Sequence, residues 1–207
     1  MSEFLKIDLQ AVFNHKAILE DKSLVSVTGL TELGLGALKS FFKSSYYPKI
    51  SEIVEIKGVP FVFPNNNIDS YDNIQCAGQV ISLPKGRYSK AYTISFNEFV
   101  DSEDLLELLF SDGSKETINL HTICWGTAGL KNNRFTFINE IFGGNEGVLH
   151  GKSTNMTDVG CTFSNLDIIN GNLFLSEILL PYNPALHIFS ITLEINNACV
   201  HCTGRCK

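Results

Sequence analysis

A chain of 207 residues with 44% hydrophobic side chains and 15 Phe holds enough apolar material to bury a core, which excludes a disordered chain of low hydrophobicity and high charge. Its 22 acidic and 16 basic residues leave a formal charge of -6, which opposes an extended phosphate-binding face and excludes nucleic acid as the expected partner. No run of 18 apolar residues occurs, and the opening stretch from Met1 to Asp8 lacks the unbroken apolar core of a secretory leader, so the expectation is a cytoplasmic protein with no membrane partner.

In chain order, Gly29, Gly34 and Gly36 weaken any helix between Leu24 and Phe42, leaving at most a short helical turn from Ala37 to Phe42. Tyr46, Tyr47 and Pro48 form an aromatic corner, read as rings packed over the end of a sandwich ahead of a sugar-stacking platform. Gly58, Pro60 and Pro64 bracket a strand through Phe61, Val62 and Phe63, because the run is too short for a helix and its residues suit a pleated surface. The Asn, Asp and Ser residues from Asn65 to Asp72 bond to nearby backbone and hold the chain in turns. A single strand is expected from Ile74 to Leu83, with a tight approach at Gly78 and a stop at Pro84. Lys85 and Gly86 then turn the chain. Tyr92, Ile94 and Phe96 alternate with Thr93, Ser95 and Asn97, which predicts one face on a core and the other in water.

The clearest hairpin follows. Leu105 to Phe110 and Thr117 to Leu120 flank an Asp112-Gly113 pair suited to a turn that needs positive φ, so the two strands are expected as antiparallel neighbours. Trp125, the only indole, ends the next run and is expected to fill the gap between sheets. Residues 132–171 are the least regular, and strand patterns return from Leu173 to Leu179 and from His187 to Ile195. In the last of these, Phe189, Ile191, Leu193 and Ile195 are read as pointing one way and Ser190, Thr192 and Glu194 the other. Many short strands with few helix signals predict an all-β fold, a single antiparallel β-sandwich, over residues 1–198, with a Cys-rich tail at 199–207.

Three blocks within this pattern form a recognisable series: GVPFVFP at 58–64, DNIQCAGQVISLP at 72–84 and LLELLFSDGS at 105–114, followed by Trp125. The series resembles the carbohydrate-binding-like β-sandwich modules of bacterial glycoside hydrolases, including fucosidase-like enzymes. IDLQAVFN at 7–14 and LLPYNPALHIFSITLEI at 179–195 are similar to the opening and closing strands of such modules. The resemblance implies a jelly-roll-like sandwich that binds a saccharide or similar polyhydroxylated small molecule without cleaving it. The Cys-rich ending and the Asn-rich turn before Asp72 depart from that pattern.

Sugar recognition needs hydroxyl-bonding groups beside a ring face, for which Tyr71, Asp72, Asn73 and Trp125 are the nearest candidates, although they read as turn and core residues before they read as a sugar site. His121 joins them because alternation places it with Asn119 and Ile123, opposite Leu120, Thr122 and Cys124. No nucleophile-elbow or zinc-protease motif occurs, so no catalytic residue is assigned. The acidic set Glu98, Asp101, Glu103, Asp104 and Glu107 reads as a solvated loop before it reads as a glycosidase pair. In the tail, Cys199, His201, Cys202 and Cys206 could supply thiolate and imidazole ligands to a metal ion, zinc being the natural choice. Two alternatives stay open: an enzyme of hydrolase or cyclase type on the same scaffold, and an assembly protein acting through the Cys-rich tail.

Overall fold

Period-two alternation builds most of this chain. In the computed structural model, which describes residues 2–37, 39–47, 53–65, 67–128, 140–141, 151–154 and 158–197, the strands in chain order are β1 (Phe4–Lys6), β2 (Ile53–Ile56), β3 (Val59–Val62), β4 (Ile74–Ala77), β5 (Val80–Gly86), β6 (Tyr88–Asn97), β7 (Ser102–Phe110), β8 (Lys115–Thr122), β9 (Glu140–Ile141), β10 (Gly151–Lys152), β11 (Asp158–Val159), β12 (Thr162–Asp167), β13 (Leu175–Leu179) and β14 (Tyr182–Ile195). One four-residue helix, α1 (Trp125–Ala128), and three 3-10 turns complete the described secondary structure. No described helix is long and apolar enough to cross a membrane.

Two antiparallel sheets form the sandwich. The first runs β1-β14-β6-β12-β9 with β4 also on β14, and the second runs β5-β13-β7-β8. Between them lies one core, built from Ile81 and Leu83 of β5, Leu106 and Leu108 of β7, Leu120 of β8 and Ile178 of β13 against Ile74, Ala91, Leu186, Ile188, Ile191 and Leu193 of the first sheet. A second core covers the opposite face of the first sheet, where Ile18, Phe42, Tyr47, Phe61 and Phe63 pack on Tyr92, Ile94, Phe96, Phe163 and Phe189. Both faces of the first sheet are therefore covered over most of their described length, with Asn165 and Asp167 of β12 left exposed.

That layering reverses the expected sidedness of β6. Tyr92, Ile94 and Phe96 do line a core, but it is the outer one; Thr93, Ser95 and Asn97 face the space between the sheets and are buried as well. Register places Ser95 beside Thr162 and Thr93 beside Ser164 on β12, so the interior is hydroxyl-rich at this end. The hydroxyls of Thr93, Ser95 and Thr122 find no hydrogen-bond partner in the described protein.

Other departures have local causes. The expected strand from Ile74 to Leu83 is two strands in different sheets, because Gly78 takes a φ of +78° and turns the chain across the sandwich edge. A register shift between Ile188 and Ser190 places Phe189 in the outer core and Ile191 and Leu193 in the inner one, so these three do not share a face. Ser190 and Thr192 then donate to the carbonyls of Val62 and Pro60, at 2.8 and 2.7 Å, and dock the β2–β3 hairpin onto the sheet. Among the described residues of the 37–42 segment no helix forms: Leu35 bridges to Ser40, and Phe41 and Phe42 are fully buried.

The hairpin agrees with its sequence. Leu109 pairs with Lys115 across a turn in which Gly113 has a φ of +86°, and β8 alternates so that Glu116, Ile118, Leu120 and Thr122 are buried while Lys115, Thr117 and Asn119 are exposed.

Candidate functional site

Side chains from five parts of the chain converge beneath the end of the first sheet. The segment from His15 to Ile18 is drawn against the turn at Asp72 and Asn73, with His15 bridging to Asn73 and the main-chain N–H groups of Ala17 and Ile18 donating to the Asp72 carboxylate at 2.8 and 3.0 Å. The Lys16 ammonium stands 3.0 Å from the same carboxylate and donates to the Asn67 carbonyl at 2.6 Å. Both side chains of this ion pair are 0% exposed. The amide of Asn73 donates to Asp72 as well, at 2.8 Å. Burial pushes the Asp72 carboxyl up, while Lys16 and the N–H donors pull it down. Each oxygen already accepts two donors and leaves no room for a proton, so the group is held as a carboxylate.

Asn73 passes the network on. Its Nδ2 faces Asp72 and the His15 carbonyl, so its Oδ1 accepts from His187 Nδ1 at 2.7 Å. The other nitrogen of His187 lies 2.9 Å from Glu98 Oε1. Glu98 Oε2 accepts the Gly36 N–H. The His187 ring stacks on Phe96 with centroids 4.7 Å apart, and His15 meets it edge-on at the same distance. Burial lowers His187 against the opposing pull of Glu98, and lowers His15 to about 3 with help from the nearby His187 and Lys39. These side chains tie the chain's early segment to the sheet; their polar atoms are spent on one another.

The open site lies elsewhere on the same layer. A cleft of about 500 Å³ separates the segment after β1 from the end of β3. Phe13, Phe63 and Phe189 give it an apolar wall and floor, and Lys6, Asp8, Gln10 and Asn65 stand around it. Asp8 and Gln10 are exposed, and Asp8 accepts the main-chain N–H of Gln10 at 3.0 Å, which holds the turn and leaves the other carboxylate oxygen available.

Of the residues singled out from sequence, Asp72 and Asn73 sit in the buried network at 0% exposure. Tyr71 is half-buried, with its hydroxyl 3.5 Å from that of Thr31. Trp125 is half-buried rather than filling the gap between the sheets: it starts α1, packs edge-on against Phe42 in the outer core and donates its indole N–H to the Glu98 carbonyl at 3.1 Å. His121 shares the exposed face of β8 with Asn119 and lies 3.6 Å from Glu103. Asp72 and Asn73 thus share one locus, and neither Tyr71, His121 nor Trp125 lines the cleft. Cys199, His201, Cys202 and Cys206 lie outside the described residues. Among the described residues no three His, Cys, Asp or Glu side chains converge as a metal ion would require. Cys161 is buried beside the Tyr47 hydroxyl at 3.5 Å, and burial pushes its thiol up to about 12.

The cleft was hidden from sequence reasoning because its rim and its floor are more than 170 residues apart in the chain, from Asp8 to Phe189. The one local trace is the spacing of Lys6, Asp8 and Gln10, polar residues alternating with Ile7 and Leu9 of the inner core.

Residues 39–197 match the family described as the AziU2-like beta-sandwich domain. The chain belongs to that family. The AziU2-like match takes in the cleft's β3 wall and its Phe189 floor, and Asp72, Asn73, Glu98 and His187 of the buried network; Lys6, Asp8, Gln10, His15 and Lys16 precede it. No curated protein matches the chain.

Proposed function

We propose that the protein is a binding module that takes a saccharide or similar polyhydroxylated small molecule in the cleft between β1 and β3. The observation that supports this reading is the composition of that cleft: a half-buried ring, Phe13, over the buried Phe63 and Phe189, with a carboxylate, two amides and an ammonium around it. A pyranose presents an apolar C–H face and a ring of hydroxyls, which matches such a lining. The volume of about 500 Å³ suits one or two sugar rings. The resemblance of residues 58–64, 72–84 and 105–114 to carbohydrate-binding-like modules points the same way.

Calorimetry against a panel of mono- and oligosaccharides tests it. At least one sugar is expected to bind at sub-millimolar to millimolar concentration, and Asp8→Asn or Gln10→Ala to weaken it about three- to tenfold, the equivalent of one modest hydrogen bond, with unchanged unfolding. No binding across the panel at millimolar ligand removes the reading and brings the enzyme and assembly alternatives forward.

A further inference from the structure

The end of β5 carries a second, unrelated arrangement. Gly86 pairs with Leu175, and Arg87 and Phe174 flank that pair just beyond β5 and just before β13. The Arg87 guanidinium lies 4.6 Å from the Phe174 ring centroid and the Lys85 ammonium 5.4 Å from it. Two cations on one ring stand within roughly 10 Å of each other, about a Debye length, so they repel. Neither has a carboxylate partner among the described residues, in a chain of net charge -6 where acids outnumber bases. The Arg87 Nε–H is buried and meets no acceptor in the described protein.

The backbone holds this arrangement in place. The Tyr88 hydroxyl donates to the Pro84 carbonyl at 2.7 Å and closes the chain around Lys85 and Gly86. Any Cβ at Gly86 would stand 2.5 Å from that hydroxyl. The Arg87 carbonyl accepts the Asn196 N–H at 2.9 Å. Phe174 stays 43% exposed and Lys85 is exposed, while Arg87 is half-buried with its Nε–H enclosed. A half-buried guanidinium and an exposed ammonium that share one ring on a fixed loop suit a planar or tetrahedral oxyanion, since the terminal nitrogens of the guanidinium can meet two of its oxygens.

We propose that Lys85 and Arg87 form an oxyanion site that receives a phosphate or carboxylate group. It is separate from the cleft and does not depend on what the cleft binds.

Nitrogen-15 NMR titrations with inorganic phosphate and, in a parallel arm, with acetate, both at constant ionic strength, test the site and distinguish the two oxyanions. The Arg87 Nε–H and the amides of residues 85–87 and 174 are expected to shift saturably with at least one of them. Arg87→Gln should weaken binding at least about tenfold and Lys85→Gln about threefold, as the loss of charge-assisted bonds implies. Lys115→Gln, a cation paired to Glu107 on another strand, should change nothing. Absence of a saturable shift with either anion at about 50 mM overturns the proposal, as does a shift that survives in Arg87→Gln. Should that variant fail to fold, an undiminished affinity in Lys85→Gln overturns it equally.

Discussion

Asp72→Ala is the substitution that most directly tests the buried network. It removes an acceptor that takes Lys16 at 3.0 Å, Ala17 N–H at 2.8 Å, Ile18 N–H at 3.0 Å and Asn73 at 2.8 Å. Lys16 is then a fully buried ammonium with only the Asn67 carbonyl, a situation that costs about 3–5 kcal/mol. Two main-chain donors also lose their acceptor, at about 1–3 kcal/mol each if both stay dry. These penalties overlap, because relaxation that admits water to one relieves the others, so the expected loss is about 4–6 kcal/mol of a domain stability that is ordinarily about 5–15 kcal/mol. Urea unfolding followed by far-UV circular dichroism and by Trp125 fluorescence measures it. The paired variant Lys16→Met with Asp72→Asn removes both charges and keeps one oxygen for the backbone donors, so it should recover more than half of the loss. Cleft affinity of the folded fraction should not change. A cost below about 1 kcal/mol for Asp72→Ala would refute the reasoning, because the ion pair would then be hydrated rather than buried.

Three further outcomes follow from the same contacts. Burial holds His15 at about 3 in the folded state while the unfolded chain protonates near 6.5, so its contribution is intact above about pH 6.5 and lost as pH falls towards 3, at up to about 1.4 kcal/mol per pH unit; His15→Asn should flatten this limb in unfolding measured from pH 7 to 4. Thr93→Val and Thr122→Val replace hydroxyls with no protein partner by methyl groups and should leave stability unchanged or raise it by up to about 1 kcal/mol; a loss larger than that in urea unfolding would mean those hydroxyls are satisfied. Gly78→Ala forces a side chain to a φ of +78° and should lower stability by about 1–2 kcal/mol, read as a shift in denaturation midpoint with an unchanged slope.

What was legible in the sequence was whatever is decided locally. The β7–β8 hairpin could be read because Asp112 and Gly113 specify its turn and the alternation on either side specifies its faces. The β-sandwich class followed from the same kind of signal repeated along the chain. What could not be read depends on partners distant in sequence. Alternation in β6 reports two faces but not what covers each, and here the polar face is the one enclosed between sheets. The sidedness of β14 was lost at a bulge that adds one residue without any Gly or Pro to announce it. Asp72 and Asn73 stood out by composition, yet their meaning comes from Lys16, 56 positions earlier, and from His187, 114 positions later than Asn73. The helical turn suggested at 37–42 does not appear in its described residues, since burying Phe41, and Phe42 within the outer core, gains more than a single turn of helix offers.

The pairing of β1 with β14 has a mechanical consequence. The two strands run antiparallel with Phe4 opposite Glu194, so the start of one and the finish of the other lie at the same end of their ladder. Tension applied through these ends acts across the strands and breaks their bonds one at a time, as a zipper opens, instead of loading them together in shear. The ladder that resists is short: Phe4–Glu194, Leu5–Leu193 and Lys6–Thr192, flanked by main-chain bonds from Ile195 to Glu3 and from Ile7 to Ile191. Lys6 is also where the wall of the cleft begins, with Asp8 and Gln10 just behind it. A tether on both ends would therefore strip one wall from the cleft while the two facing sheets stayed closed, and occupancy of the cleft would respond to load well before the sandwich did.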